Sequence, residues 1–203
     1  MILFELFGTE NNPAYRSLEA SNAERHYSFL LSTIDIAVQT QQFHLSTALL
    51  KALNYHAIAC LHTSGGAFRP CEVCAGERPC PQAHRVSALM DTFVNQVNSA
   101  WHQADAIALA TYILWRVNYI HPFINGNGRT ARAAAYFALC VKSGGALPGP
   151  VILPELIKQN RDEYVEALKV AHASYEKGQQ PDLSVLQEMV GRLANEQIAA
   201  ADE

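Results

Sequence analysis

The stretch His121-Pro122-Phe123-Ile124-Asn125-Gly126-Asn127-Gly128-Arg129-Thr130-Ala131-Arg132 decides how the chain is read. It puts an imidazole, a glycine-rich turn and two arginines within one loop and the first turns of a helix. Gly126 and Gly128 let the backbone turn sharply and come close to a ligand. A helix starting beside them aims unpaired N–H groups and its positive dipole end at an anion. Arg129 and Arg132, three apart, share one face of that helix. This is the composition of a phosphate site with a proton acceptor beside it.

Two other phosphate-binding patterns fail on context. Gly126 to Ala131 fits the dinucleotide-binding fingerprint, which needs a strand in front of it. Here Ala110, Ile113, Leu114 and Val117 recur at helical spacing without strict alternation, so a helix precedes the glycines. The chain has no GxxxxGK[ST] run, which excludes a P-loop.

Taken whole, the run resembles the Fic (filamentation induced by cAMP) family motif HxFx[DE]GNGRxxR. His121, Phe123, Gly126, Asn127, Gly128, Arg129 and Arg132 agree with it, and Asn125 stands where the family has an acid. The resemblance extends to Gly66-Ala67-Phe68-Arg69 followed by Val73, which looks like the family's flap hairpin. Asn160 to Tyr164 with Ala167-Leu168 is similar to its closing helix. It covers about residues 45–175.

The resemblance implies a mainly helical, all-α Fic-type fold with a short β-hairpin flap. It further implies a protein adenylyltransferase that moves AMP from ATP to a hydroxyl of a target protein. His121 is then the catalytic base, and Gly126, Asn127, Gly128, Arg129 and Arg132 bind the nucleotide. Phe68, Arg69 and Val73 belong to the flap that meets the target. Position 125 implies Mg2+ between the nucleotide phosphates, and Asn125 weakens that position because a neutral amide is a poorer ligand than a carboxylate for a hard cation. A weak or inactive nucleotide-binding regulatory module, or transfer of another phosphate-containing group, is the alternative. An inhibitory pattern [ST]xxxE[GN] also occurs in the family. Ser184 with Glu188 has its first spacing only, so an antitoxin-like partner is expected to bring the missing glutamate.

The residues support these roles on their own chemistry. The unperturbed pKa of histidine, near 6.5, leaves His121 neutral enough at pH 7 to accept a proton, and Pro122 predicts an extended backbone at it. Phe123 is expected to anchor the loop in the core. Asn127 offers an amide donor to a phosphate oxygen, and the two guanidinium forks suit phosphates. His26, His44, His56, His102 and His172 lack such neighbours and read as ordinary surface or core histidines.

The 203 residues are enough for one domain over 1–203 with a substantial core. With 49% hydrophobic and 17% charged residues the chain is globular, and a net charge of −4 without basic blocks gives no footprint for nucleic acid or an anionic membrane. The opening MILFELFGTENN lacks a basic lead and a long apolar run, so the expected location is cytoplasmic, with later export left open.

Five cysteines fit a reducing compartment. Cys71, Cys74 and Cys80, with His62 and His84 nearby, have metal-ligand chemistry but lack the usual two-pair spacing, so no zinc is expected. Cys60 and Cys140 read as core residues. Helices are predicted around 23–39, 44–62, 83–100, 104–119, 129–143, 154–175 and 182–201, with glycine and proline breaking the chain between the second and third.

Overall fold

The computed structural model describes residues 2–201. The helices are α1 (Leu3–Phe7), α2 (Pro13–Thr40), α3 (Thr47–Ile58), α4 (Val86–Ala100), α5 (Ala106–Ile120), α6 (Asn127–Lys142), α7 (Leu153–Gln159), α8 (Arg161–Glu176) and α9 (Ser184–Ala199). A two-stranded hairpin, β1 (Cys74–Ala75) and β2 (Arg78–Pro79), lies between α3 and α4. The expected all-α fold with a short hairpin flap is what forms.

Helix α6 is the centre of the molecule. From Ala133 to Val141 every residue is buried, four of them alanines that let neighbouring helices come close. Its main neighbour is α5, buried at Ala110, Ile113, Leu114 and Val117, with α2, α3 and α7 also packed on it. Apolar burial of this kind contributes about 25 cal/mol per Å2 and is the main stabilising force.

Several boundaries differ from those the sequence predicts. Helix α2 begins ten residues before the predicted position 23, because Asn12 caps it through Ala14 N–H at 2.9 Å and Pro13 occupies its first turn. Its apolar periodicity is too weak to show this. Helix α3 starts after the Ser46 cap and stops at Ile58, so Cys60 stands in left-handed backbone at φ 60° and is exposed, not a core residue. Cys140 is buried as expected. The predicted helix 154–175 is two helices that break at Asn160, whose amide donates to the Leu156 carbonyl at 2.9 Å.

Asn54 ties the elements around the glycine turn at Gly126 together. It is fully buried on the apolar face of α3, beside Leu50, Leu53 and Ala57. Its Nδ2 donates to the Asn125 carbonyl at 2.9 Å and to Thr130 Oγ1 at 3.3 Å, while its Oδ1 accepts from Gly66 N–H at 3.0 Å. One amide thus fixes the loop before α6, the first turn of α6 and the start of the flap. Replacing Asn54 with alanine strands a part-buried carbonyl and a part-buried N–H, and is expected to cost about 1–3 kcal/mol. Urea denaturation measures this, and a loss below about 1 kcal/mol would show that Asn54 is not the brace.

Candidate active site

The loop from His121 to Gly126 joins the C-terminus of α5 to the N-terminus of α6. His121 closes α5 in left-handed backbone at φ 52°, ψ 59°, with its N–H bonded to the Val117 carbonyl at 2.9 Å. The extended geometry predicted from Pro122 is therefore not adopted. The cap bond and the two bonds that Arg69 makes beside it impose the rarer conformation, a strained arrangement that the surroundings must hold.

Arg69 supplies much of that restraint. It is 2% exposed, its Nε donates to the His121 carbonyl at 2.8 Å, and its backbone N–H donates to the Pro122 carbonyl at 2.8 Å. Its remaining donors hold the Cys71 carbonyl at 2.8 Å and the Pro81 carbonyl. Arg69 is thus a brace between flap and loop, rather than a side chain offered to a target. Phe68 is half-buried, with its ring 5.6 Å from that of Phe123 and the Lys51 ammonium 4.4 Å from its centre. Val73 is partly exposed, and its carbonyl accepts from Cys80 N–H at 3.2 Å at the mouth of the hairpin. Arg78 reaches from β2 to the carbonyls of Asn118 at 3.3 Å and Tyr119 at 2.9 Å, just before His121.

Phe123 is fully buried, as the sequence predicts. Asn127 has a different task from the one expected of it. It is 2% exposed, its Oδ1 accepts from Phe123 N–H and its Nδ2 donates to the Phe123 carbonyl, both at 2.9 Å. The side chain therefore locks the loop, leaving backbone N–H groups to meet an anion. Gly126 opens α6 at φ 77°, and no side chain caps the helix. A Cβ there would lie 2.7 Å from Ile58 Cγ2 and 2.9 Å from Asn54 Nδ2, so both conformation and space demand glycine. At Gly128 a Cβ would stand 3.3 Å from Arg132 Nη1.

The two arginines differ in state. Arg129 donates to Glu19 Oε1 at 3.0 Å, to the Ala57 carbonyl at 3.1 Å and to Asn125 Oδ1 at 3.0 Å. Arg132 has no hydrogen bond or ion pair among the described residues, although burial lowers its pKa by opposing its charge. Both line a cavity of about 750 Å3 between α2, α6 and the segment from Pro150 to Gln159, together with Glu19 and His26. Glu188, the candidate inhibitory residue, is exposed on α9 near Arg192. The carboxylate that meets a motif arginine is Glu19.

Asn125 does not present an open ligand position. Its Oδ1 faces the Arg129 guanidinium and its Nδ2 donates to Glu10 Oε1 at 3.3 Å. A cation on that oxygen would stand beside a positive charge, so the residues as arranged do not fit a resident Mg2+. Among the described residues no group of three His, Cys, Asp or Glu side chains is placed to hold a metal.

Burial holds His26, His121 and His172 at about 4, and nearby guanidiniums push each the same way: Arg129 and Arg132 on His26, Arg78 and Arg69 on His121, Arg78 on His172. For His121 the Asn118 carbonyl works in the opposite direction. Nδ1 of His121 is buried with no partner among the described residues. The ring is neutral at pH 7 and able to accept a proton.

Glu19 and His26 lie in a region that the sequence left without a role, and Asn54 was overlooked. Their signals were a lone polar residue within an apolar stripe, for Asn54, and the helical spacing of Glu19, Ala23, His26 and Leu30.

Residues 44–139 match the model of the Fic/DOC family. The chain is 37% identical over 112 residues to a Protein adenylyltransferase Fic of Drosophila grimshawi, covering 53% of this chain and 21% of that protein. The corresponding protein of Drosophila willistoni matches at 37%, over 53% of this chain and 20% of its own length. The chain thus spans about a fifth of the curated relatives it matches. Among solved structures, a Fic domain containing signaling protein from Bacteroides thetaiotaomicron superposes with a TM-score of 0.68 at 24% identity, covering 98% of this chain and 79% of that one. Fic-1 from C. elegans gives 0.68 at 23% identity, over 85% and 48%. Both share the fold. No helix among the described residues is long and apolar enough to cross a membrane.

Two outcomes follow from these charges. The folded chain refuses protons on His26, His121 and His172 that the unfolded chain accepts as pH falls below 6.5. Their contribution to stability is therefore complete above pH 6.5 and is lost on going down to about 4. Melting temperatures between pH 7 and 4.5 should fall, and less steeply for His26→Gln; equal slopes would remove His26 from the account. Glu19 already occupies the Arg129 guanidinium, which a phosphate bound there would have to share, so Glu19→Ala is expected to tighten ATP about two- to fivefold, the range of a partly exposed ion pair. Calorimetry reads this, and weaker binding would make Glu19 part of the ligand site.

Proposed function

We propose, from the match of residues 44–139 to the Fic/DOC family model, that the chain transfers AMP from ATP to a hydroxyl side chain of a target protein. The observation that carries this reading is the uncapped N-terminus of α6, entered through Gly126 within five residues of a neutral imidazole and followed by the unpaired Arg132.

In this reading His121 accepts the proton of the target hydroxyl as its oxygen attacks the α-phosphorus. The bond from that phosphorus to the oxygen bridging to the β-phosphate breaks, and pyrophosphate leaves. The N–H groups of Asn127 and Gly128 face the charge that builds on the α-phosphoryl oxygens, where fixed dipoles are most effective. Arg132 takes the leaving phosphates, joined by Arg129 when its bond to Glu19 is exchanged for one to phosphate. Asn125, committed to Arg129 and Glu10, offers no carboxylate to a Mg2+, which would, if it accompanied the nucleotide, neutralise charge on the phosphates. The target strand lies along the flap at Val73 and the exposed face of Phe68, in the manner of β-augmentation. The cavity beside Arg132 is where an inhibitory partner could place a carboxylate.

One observation favours a second reading. Asn125 Oδ1 is committed to Arg129, so a chain that binds nucleotide without turnover would look the same at this position. Labelled transfer separates the two. With α-labelled ATP and a cell lysate, the parent protein should label protein targets and His121→Ala should not, while ATP affinity stays within about threefold because the imidazole acts on the nucleophile. Equal labelling by both proteins would remove His121 as the base. No labelling by the parent, with ATP bound, would establish the second reading.

A further inference from the structure

We propose that His26 is an anion ligand that takes up a proton when the terminal phosphates of a nucleotide, or free pyrophosphate, enter the cavity between α2, α6 and α7. The inference rests on the reading above, in which Arg129 and Arg132 hold the leaving phosphates. His26 lines the same cavity as both arginines. Its Nε2 is closed off from solvent and has no hydrogen-bond partner among the described residues. A buried polar atom left in this way costs about 1–3 kcal/mol, which argues for an occupant that completes it. The reaction as derived gives this imidazole no part.

The surrounding charges say what that occupant is. Arg129 and Arg132 of α6 and His56 of α3 all disfavour a second positive charge at His26, which together with burial keeps the ring neutral. On α2 itself Arg16, Glu19 and Glu24 line the cavity, and on α7 Glu155 and Lys158 do. Two of the carboxylates are already turned to cations, Glu19 to Arg129 and Glu155 to Lys158 at 3.0 Å, and Glu24 is exposed to water, which screens its charge. A polyphosphate brings two or more negative charges. It offsets the repulsion from the arginines and, once a shift of the ring opens Nε2 to the cavity, gives an Nε2–H an oxygen to donate to, and both effects favour the imidazolium. Affinity for such a ligand is then linked to proton uptake: it rises as pH falls through the range between the pKa of the free ring and that of the occupied one.

The test uses the full chain and pyrophosphate. Histidine ring signals are recorded by NMR at pH 6, with His26 assigned by its loss in His26→Gln. The ring should be neutral in the free protein and at least half protonated with saturating pyrophosphate. Calorimetry at pH 8 and pH 6 should show affinity of the parent rising at least about twofold more than that of His26→Gln, the linkage expected of a half-protonated ring, a comparison that cancels the titration of pyrophosphate itself. A ring that stays neutral at pH 6 with pyrophosphate bound, and bound more weakly by Arg132→Ala, overturns the role of His26 alone. Failure of the folded parent to bind pyrophosphate at either pH overturns the arginine reading and this inference together.

Discussion

The whole site depends on satisfying the backbone of one sharply bent loop. Between His121 and Gly126 the chain leaves one helix and enters another in tight packing, where unpaired carbonyl and N–H groups are costly. Side chains from three places meet the need. Arg69 takes the His121 carbonyl, Asn54 takes that of Asn125, and Asn127 closes on both polar groups of Phe123. Because neighbours hold the loop, it can keep a left-handed histidine and an uncapped helix start. The segment from Phe68 to the hairpin is fixed by the same bonds, so it and the His121 imidazole are mechanically one unit.

Electrostatics divides the positive charge of α6 into two parts. Arg129 is paired with Glu19 and bonded to two neutral oxygens, whereas Arg132 faces the cavity with no ion pair among the described residues, Glu155 acting on it only from a distance. A part-buried guanidinium in that condition attracts an anion strongly, because water screens it poorly. The Asn125 substitution belongs to the same balance. A carboxylate at 125 would lie next to Glu10, whose Oε1 accepts from the present amide and also stands 3.1 Å from His62 Nε2. The amide donates to Glu10 and accepts from Arg129 at once, which no carboxylate could do.

Much of the site was legible because its determinants are local. The turn from Gly126, the burial of Phe123 and the pairing of Arg129 with Arg132 on one helix follow from backbone freedom and helical spacing. Other readings failed where a contact distant in sequence intervened. The extended geometry read from Pro122 gave way to the bonds of Arg69, 52 positions away at the His121 carbonyl. The polar side chain of Asn127 beside the turn predicts a phosphate donor, and nothing local shows that it folds back on Phe123. Cys60 was read as buried from an apolar run, but a left-handed residue after α3 turns it outward.

The sequence by itself determined which chemical groups meet at this loop: an imidazole, a glycine turn and two arginines at spacings that suit a loop leading into a helix, on a mainly helical frame. Tertiary structure alone decided which of those groups are free to act. Glu19 lies 110 positions from Arg129 and Asn54 71 positions from Asn125, and His26 comes from the same distant helix as Glu19. Helical spacing can place residues on a common face, but it does not say which face of another helix they will meet. Charge pairing and burial act through space, so the state of each arginine and histidine is fixed only once those faces are packed.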